Sequence, residues 1–144
     1  MRGLLVLLVV LLGATGCGGS KASDYRGQVN DVRQRYEPRF DQITTRIQDD
    51  VGASALHKMG VDASAGAALM TGYANDVARI EPPSDLRPQA EKLVAAYREW
   101  ARALRELAQA SRTRAAATVR TALRAFNHAA RQEHAAVEAL NAAG

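Results

Sequence analysis

The sequence predicts an all-α protein, an up-down-up-down four-helix bundle that follows a signal peptide and a flexible tether. Three observations lead to this prediction. Alanine, the strongest helix former, occurs 29 times, whereas aromatic residues make up only 5% of the 144 residues. Apolar residues recur at alternating steps of three and four, which is the period of one helix face. The prolines lie between Pro38 and Pro88, so the last 56 residues contain no proline to break a helix.

The first 16 residues have the layout of a secretory signal peptide. Met1 and Arg2 form a short basic start, an apolar run covers residues 4–12, and small residues follow. This run is far shorter than the roughly 20 apolar residues that a membrane-spanning helix needs. We therefore expect residues 1–16 to direct export and then to be removed.

The single cysteine, Cys17, directly follows these small residues. With Ala14, Thr15 and Gly16 it resembles the lipobox of bacterial lipoproteins, although Leu is usual in the place of Ala14. The resemblance implies that the Cys17 sulfur receives a diacylglyceryl group, that the signal is cut just before it, and that the new amino group is acylated. Two or three acyl chains hold a protein on a membrane where a single chain does not.

Residues 17–23 are predicted to form a flexible tether, because Gly18, Gly19 and Ser20 favour no single conformation. The remaining residues, 24–144, are predicted to form the bundle domain. Two alternatives to lipidation stay open. The chain could be secreted with Cys17 as an unpaired thiol, or it could keep its N-terminal segment as an uncleaved anchor.

The first predicted helix begins near Ser23 or Asp24, because both residues are common N-caps. Pro38 falls within this helix, and we expect a kink there because proline removes one backbone hydrogen bond. The apolar face of the helix consists of Tyr25, Val29, Val32, Tyr36, Phe40, Ile43 and Ile47.

Residues 52–61 are predicted to connect the first helix to the second, which begins at Asp62 or Ser64. The second helix ends before Pro82-Pro83, because a residue that precedes proline is driven out of the α region. Its apolar face consists of Ala63, Gly66, Met70, Tyr73, Val77 and Ile80.

The third helix has the clearest pattern, and Pro88 lies in its first turn, where proline is tolerated. Its wide apolar face suits a helix that touches two neighbours. This face consists of Leu86, Ala90, Leu93, Tyr97, Trp100, Leu104, Leu107 and Ser111.

The fourth helix is predicted to begin near Thr113, after a break at Ser111–Thr113 that rests only on two capping residue types. A single long helix is the alternative. The apolar face of the fourth helix consists of Ala116, Val119, Leu123, Phe126, Ala130, Glu133, Val137 and Leu140. Short connections make successive helices antiparallel, which gives the up-down-up-down order.

The core is expected to form where these four faces meet, around a single tryptophan. Its predicted residues are Tyr36, Phe40, Ile43, Tyr73, Leu93, Tyr97, Trp100, Leu104, Leu123 and Phe126.

This arrangement is similar to small Ala-rich helical lipoproteins of high-GC bacteria, in which a Pro-Pro hinge like Pro82-Pro83 separates two helices ahead of an Ala-rich pair. Those lipoproteins have no established function. The resemblance therefore implies a location and a fold, and it implies no activity.

The sequence offers no recognisable catalytic arrangement, so we predict a protein that is not an enzyme and needs no cofactor. It has no G-x-S-x-G or S-x-x-K motif for a serine nucleophile, and no glycine-rich phosphate loop after a strand. It has no C-x-x-C-H motif for haem and no E-x-x-H motif for a di-iron centre.

Two residue pairs are weak metal-site candidates. His57 and Met59 combine an imidazole and a thioether next to a predicted loop, a combination that suits copper. His134 and Glu138 lie four apart and share a helix face. Both pairs also have ordinary explanations, because Met59 suits a core position and an i,i+4 His–Glu pair is common on helix surfaces.

Glu133 falls on the apolar face of the fourth helix, where a carboxylate is costly unless it is paired. One interpretation is a polar pocket in the bundle, with arginines or tyrosine hydroxyls as partners. The favoured interpretation is that Ala136 takes the core position while Glu133 leans to the edge.

Charge is distributed unevenly along the chain. Residues 24–85 contain 7 basic and 10 acidic residues, a net charge of −3, whereas residues 86–144 contain 10 and 5, a net charge of +5. On the third helix the arginines opposite the leucines form a candidate interaction face, which consists of Arg98, Arg102, Arg105 and Arg112. Such a face suits anionic headgroups, an acidic wall polymer or an acidic protein.

The favoured function is therefore a lipid-anchored, non-enzymatic interaction module of the cell envelope, on the outer face of the membrane. We expect a monomer that contacts the membrane through its lipid and docks an envelope protein or an acidic wall polymer. Nucleic acid is not expected as a partner, because export would remove the protein from nucleic acid in the cell. Few aromatic residues are present to stack on bases. The alternative is a small-ligand or copper-type metal carrier that uses a pocket of the bundle.

Overall fold

The computed structural model describes residues 19–52 and 55–143, and it confirms the all-α four-helix bundle. The helices are α1 (Gly19–Gly52), α2 (Leu56–Ala78), α3 (Arg87–Thr113) and α4 (Ala116–Ala142). The described residues contain no strand. The predicted signal peptide, residues 1–16, and Cys17 lie outside the described residues.

Helix α1 begins earlier than the sequence predicts, at Gly19 instead of Ser23 or Asp24. Residues 19–23 are therefore helical, which corrects the prediction that the flexible tether extends to residue 23. The physical reason is that Ala22 is buried and continues the apolar face one turn beyond Tyr25. The same helix continues without interruption through Pro38 to Gly52.

Helix α2 also begins earlier than predicted, at Leu56, so most of the expected connection at 52–61 is helical. Two buried residues explain the difference. Met59 is 0% exposed, and Gly60 lies against the side chain of Ser111 on α3. The far end agrees with the prediction, since α2 ends at Ala78, shortly before Pro82-Pro83.

Helices α3 and α4 are separate, as the sequence predicts, but the break lies after Thr113 and not at Ser111–Thr113. Ser111 stays inside α3, and its Oγ donates to the Leu107 carbonyl oxygen at 2.7 Å. The chain then turns at Arg114, which has a φ of 55°, and α4 begins at Ala116.

Helices α2 and α3 form the centre of the bundle, with α1 packed on α2 and α4 packed on α3. Side-chain contacts between the helices show their antiparallel order. Arg46 near the end of α1 pairs with Asp62 near the start of α2, and Tyr73 of α2 meets Tyr97 of α3. Near the other end, the Arg26 side chain of α1 donates to the Leu140 carbonyl oxygen of α4 at 3.1 Å.

The core contains most of the residues that the sequence predicts for it. Of the predicted core residues, seven are buried: Phe40, Ile43, Tyr73, Leu93, Tyr97, Leu104 and Phe126. The other three, Tyr36, Trp100 and Leu123, are half-buried and pack against this core. None of the helices in the described part of the chain has the length and hydropathy that crossing a membrane requires.

Candidate functional site

The four arginines of the predicted interaction face have different surroundings. Arg102 forms ion pairs with Glu99 and Glu106 of its own helix, so neighbouring carboxylates already balance its charge. Arg105 and Arg112 instead line a groove between α2 and α3. Arg98 is exposed and lies outside the residues that line this groove.

This α2/α3 groove consists of two adjoining cavities that share Ser64 and Arg112. The cavity nearer the middle of the bundle has a volume of about 600 Å³, and the one at the start of α2 has about 500 Å³. The first is lined by Ser64, Ala67, Ala68, Thr71, Arg105, Ala108, Gln109 and Arg112. The second is lined by Leu56, His57, Gly60, Val61, Ser64, Ser111, Arg112 and Arg114.

The α2/α3 groove differs from other surface cavities of the described chain in its charge. Three arginines line it, and none of the residues that line it is acidic. Three other cavities on the bundle each contain acidic and basic residues: Asp76 accompanies Arg79 in one, Glu81 accompanies Arg87 in another, and Glu99 accompanies Lys92 in the third. No carboxylate among the residues that line the α2/α3 groove therefore repels an anion there.

The arginines of the groove lack acidic partners among the described residues. Ion pairs among the described residues involve other basic side chains, namely those of Arg33, Arg46, Arg79, Arg102 and His134. Arg105 donates through Nη1 to Thr71 Oγ1 at 3.3 Å, which orients the guanidinium across the groove without neutralising it. Guanidinium groups offer planar, forked donors that match carboxylates and phosphates.

The hydroxyl groups of the groove are occupied by their own helices. Ser64 Oγ donates to the Gly60 carbonyl oxygen at 2.9 Å, Thr71 Oγ1 to that of Ala67 at 2.7 Å, and Ser111 Oγ to that of Leu107 at 2.7 Å. A nucleophilic hydroxyl needs a base that accepts its proton. In these three contacts the acceptor is a backbone carbonyl oxygen, which leaves no activated nucleophile among them.

Sequence reasoning missed Arg114, which completes the basic wall of the groove. Its φ of 55° lies in the left-handed region, which Gly or Asn usually adopts at the position after the last turn of a helix. A non-glycine residue in that region is uncommon, and such outliers concentrate at functional sites. No sequence signal identified it, because the expected break ended at Thr113 and Arg114 fell in the first turn of the next predicted helix.

The structure does not bring His57 and Met59 together, which corrects the weak prediction of a copper pair. Both residues lie on α2, and positions two apart on a helix face in nearly opposite directions. His57 is exposed and lines the groove, whereas Met59 is fully buried in the core.

His134 and Glu138 lie within reach of each other but on the open surface. His134 Nε2 and Glu138 Oε1 are 3.2 Å apart, and both side chains are more than half exposed. The described residues contain no group of three or more His, Cys, Asp or Glu side chains that could hold a metal ion. This pair fits an ordinary i,i+4 surface contact.

Glu133 is half-buried, and so is Ala136, so neither residue takes the core position alone. Burial raises the pKa of Glu133, while the charges of Arg33 and His134 and the Tyr97 hydroxyl act in the opposite direction. The neighbouring hydroxyls of Tyr73 and Tyr97 are hydrogen-bonded to each other at 2.9 Å inside the core. Glu133 therefore lies half-buried near this tyrosine pair, an arrangement between the two interpretations.

Burial also raises the pKa values of the two tyrosines in this cluster. It raises the pKa of Tyr73 to about 12 and raises that of Tyr97 further, so both hydroxyls stay protonated at physiological pH. Their rings lie 4.2 Å apart, measured between centroids, and pack within the core. The cluster is filled by the protein itself, whereas the α2/α3 groove is open.

Comparison of the chain with protein-family models, with curated proteins and with solved structures gives no match.

Proposed function

We propose that this chain is an exported, lipid-anchored protein of the cell envelope whose helical bundle docks an acidic partner and catalyses no reaction. The anchor part of the proposal rests on the N-terminal sequence. An apolar run, small residues and then Cys17 follow one another as they do in bacterial lipoproteins. Lipid on Cys17 would hold the bundle at the outer face of the membrane.

The docking part of the proposal rests on one observation, the acid-free groove between α2 and α3. Arg105, Arg112 and Arg114 line it, and no carboxylate of the described chain neutralises them. Unpaired guanidinium groups around a concave surface attract an acidic partner and fix its position through forked hydrogen bonds. Only two of these arginines belong to the predicted interaction face, so the proposed site is narrower than that face and shifted towards α2.

Binding without catalysis is supported by the chemistry of the groove. Its hydroxyls at Ser64, Thr71 and Ser111 donate to backbone carbonyl oxygens. His57 is its only histidine, and no acidic residue lines the groove to orient that imidazole. The geometry does not favour a copper carrier either, because Met59 is buried away from His57.

Site-specific photo-crosslinking in intact cells tests this function. A photoreactive residue in place of Gln109, which is exposed and lines the groove from α3, is expected to form a defined adduct. The same residue in place of Asn127, exposed on α4, is the matched control and should form no such adduct. The Gln109 adduct should disappear in the double variant Arg105→Gln/Arg112→Gln and persist in Arg102→Gln. Equal crosslinking from both positions, or an adduct that ignores the groove arginines, would refute docking through this surface.

A further inference from the structure

We infer that the α2/α3 groove seats an acidic amphipathic helix from another envelope protein. This inference rests on the proposed docking function and names the chemistry of the partner. The helix would place apolar side chains on the floor of the groove and carboxylates against Arg105, Arg112 and Arg114 at its rim.

The spacing of the arginines suits a helical partner. Arg105 and Arg112 lie on the same side of α3, two turns apart, which corresponds to about 10 Å along the helix. Carboxylates two turns apart on a partner helix repeat at the same distance. Each could therefore meet one guanidinium while the partner lies parallel to the groove.

The floor of the groove favours an apolar surface over a polar polymer. Ala67 and Ala108 close its base, Ala68 is exposed beside them, and at the open end Val61 is 58% exposed. The hydroxyls of the floor already donate to their own helices, so a polyhydroxylated or phosphodiester chain would lose hydrogen bonds to water there. The apolar face of an amphipathic helix buries favourably in such a groove.

The length of the groove also suits a helix. Its lining extends from Leu56 to Thr71 along α2, about 22 Å, or roughly four helical turns. Docked amphipathic helices engage grooves through apolar residues at positions i, i+3, i+4 and i+7. Four turns accommodate that set.

The position of the groove argues against headgroups of the anchoring membrane as its occupant. Leu56 and Arg114 mark the end of the bundle opposite to Gly19, where the proposed lipid tether joins. Helix α1, with 34 residues, separates these ends by about 50 Å. Electrostatic attraction to a lipid surface decays over about 8 Å at physiological ionic strength. A bundle whose helices stand perpendicular to the membrane therefore presents the end at Leu56 and Arg114 to partners away from the membrane surface.

The test uses the full chain in nanodiscs of zwitterionic lipid and a fluorescent synthetic helix of about 18 residues. The probe carries Leu and Ala on one face and Glu on both flanks of that face. Fluorescence anisotropy should show saturable binding that weakens as salt is raised. A probe with Lys in place of every Glu should not bind. Equal binding of both probes would overturn the inference.

Three variants separate a seated helix from general charge attraction. Arg105→Gln/Arg112→Gln should weaken binding by at least about tenfold, because two charge-assisted contacts are lost. Arg102→Gln/Arg124→Gln removes the same charge outside the groove and should change the affinity by less than about twofold. Ala68→Phe keeps the charge but fills the groove, and it should abolish binding. Unchanged binding in Ala68→Phe would exclude a seated helix.

Arg114→Gly separates a binding role from a structural one. Glycine adopts a φ of 55° without strain, so this variant should unfold at the same temperature as the wild type or higher. Its affinity for the acidic probe should nevertheless fall by about threefold or more. An unchanged affinity would remove Arg114 from the site.

Two further probes distinguish the other possible occupants. Poly(glycerol phosphate) and vesicles rich in phosphatidylglycerol should compete with the helix only weakly. If either binds the wild type more tightly than the helix does, and loses binding in Arg105→Gln/Arg112→Gln, the partner is an anionic polymer or membrane and the helix inference is wrong. Groove-specific crosslinking in cells without binding of the acidic helix would preserve the docking function and reject only this identity of the partner.

Discussion

At the scale of single residues, the role of each charged side chain depends on whether the fold supplies its partner. Arg102 has glutamates three residues before it and four residues after it and is paired with both, whereas Arg105 has none at these spacings and extends over a groove without acidic residues. Glu133 is held half-buried beside a tyrosine pair, while Glu138, on the same helix, is exposed. The sequence indicates the partners of Arg102 and the apolar-face position of Glu133, but only the structure shows the groove beside Arg105 and the tyrosine pair near Glu133.

Glu133→Gln should stabilise the protein at neutral pH. Burial raises the pKa of Glu133 above 4.5, so the folded state holds this proton more tightly than the unfolded state does. Stability should therefore fall as the pH rises from about 4.5 through the folded pKa, and the loss is complete above it. We expect a gain in the free energy of unfolding for Glu133→Gln at pH 7 and little change at pH 4, measured by urea denaturation.

The exposed Glu138→Gln is the matched control for this experiment and should show a much smaller difference between the two pH values. If Glu133→Gln lowered the stability at pH 7, attraction to Arg33 would outweigh the cost of burial, and the pKa of Glu133 would be lowered in the folded state.

Trp100→Ala should destabilise the bundle by about 3 kcal/mol. The indole lies between two aromatic rings, with centroid distances of 4.6 Å to Phe40 and 6.1 Å to Phe126. Its Nε1 is buried and has no hydrogen-bond partner among the described residues. Trp100→Phe keeps an aromatic ring and removes this unpaired donor, so it should cost less than about 1.5 kcal/mol. Circular dichroism should follow unfolding, because the variants lose the only tryptophan. Equal costs for both variants would show that the ring contacts contribute little.

At the scale of helices, packing decides where each one begins. The residues that precede α2, α3 and α4 make no side-chain capping hydrogen bond. Each helix instead begins close to a buried residue, such as Met59 in α2 or Leu86 before α3. Tertiary burial supplies most of the stability of a helix in a folded protein, and a capping residue adds about 1 kcal/mol. Predictions based on capping residues therefore misplaced three of the four helix starts.

Two glycines inside helices should respond in opposite ways to the same change. At Gly27 an added methyl group would have open space around it, with nothing within 4 Å, so Gly27→Ala should stabilise α1 by about 0.5–1 kcal/mol. At Gly66 the added methyl would lie 3.1 Å from Ile43 Cγ2 and 3.4 Å from both terminal carbons of Leu104. Gly66→Ala should therefore destabilise the bundle by about 1 kcal/mol, since crowding exceeds the gain in helix propensity.

Thermal unfolding of the two alanine variants under identical conditions measures this difference. A gain in stability at Gly66 would mean that α1 and α3 can move apart to admit the methyl group. In that case the contact of α2 with Ile43 and Leu104 is looser than the distances indicate.

At the scale of the whole molecule, the antiparallel order sets the proposed anchor and the groove at opposite ends. Gly19 begins α1 at one end, and Arg114 turns the chain at the other. The positive charge of residues 86–144 is not spread evenly over the surface. Part of it is neutralised along α3 by local carboxylates, and part is concentrated at the groove.

Cys17→Ser should release the chain from the membrane fraction and block its processing, because serine cannot receive the thioether-linked lipid. Expression of both forms followed by fractionation and immunoblotting tests this expectation. A variant that stays membrane-bound and is processed like the wild type would reject lipidation and favour an uncleaved anchor.

The sequence by itself determined the fold class, the number of helices and most of the core. These follow from local information, because a helix face repeats every three or four residues and Pro82-Pro83 marks the connection between α2 and α3. The residues Leu93, Tyr97 and Leu104 were identified correctly on that basis alone. Only the tertiary structure decided the helix starts, the separation of His57 from Met59, and the grouping of Arg114 with Arg105 and Arg112. Each of these depends on which residues of another helix lie opposite. The order of residues along one helix does not contain that information.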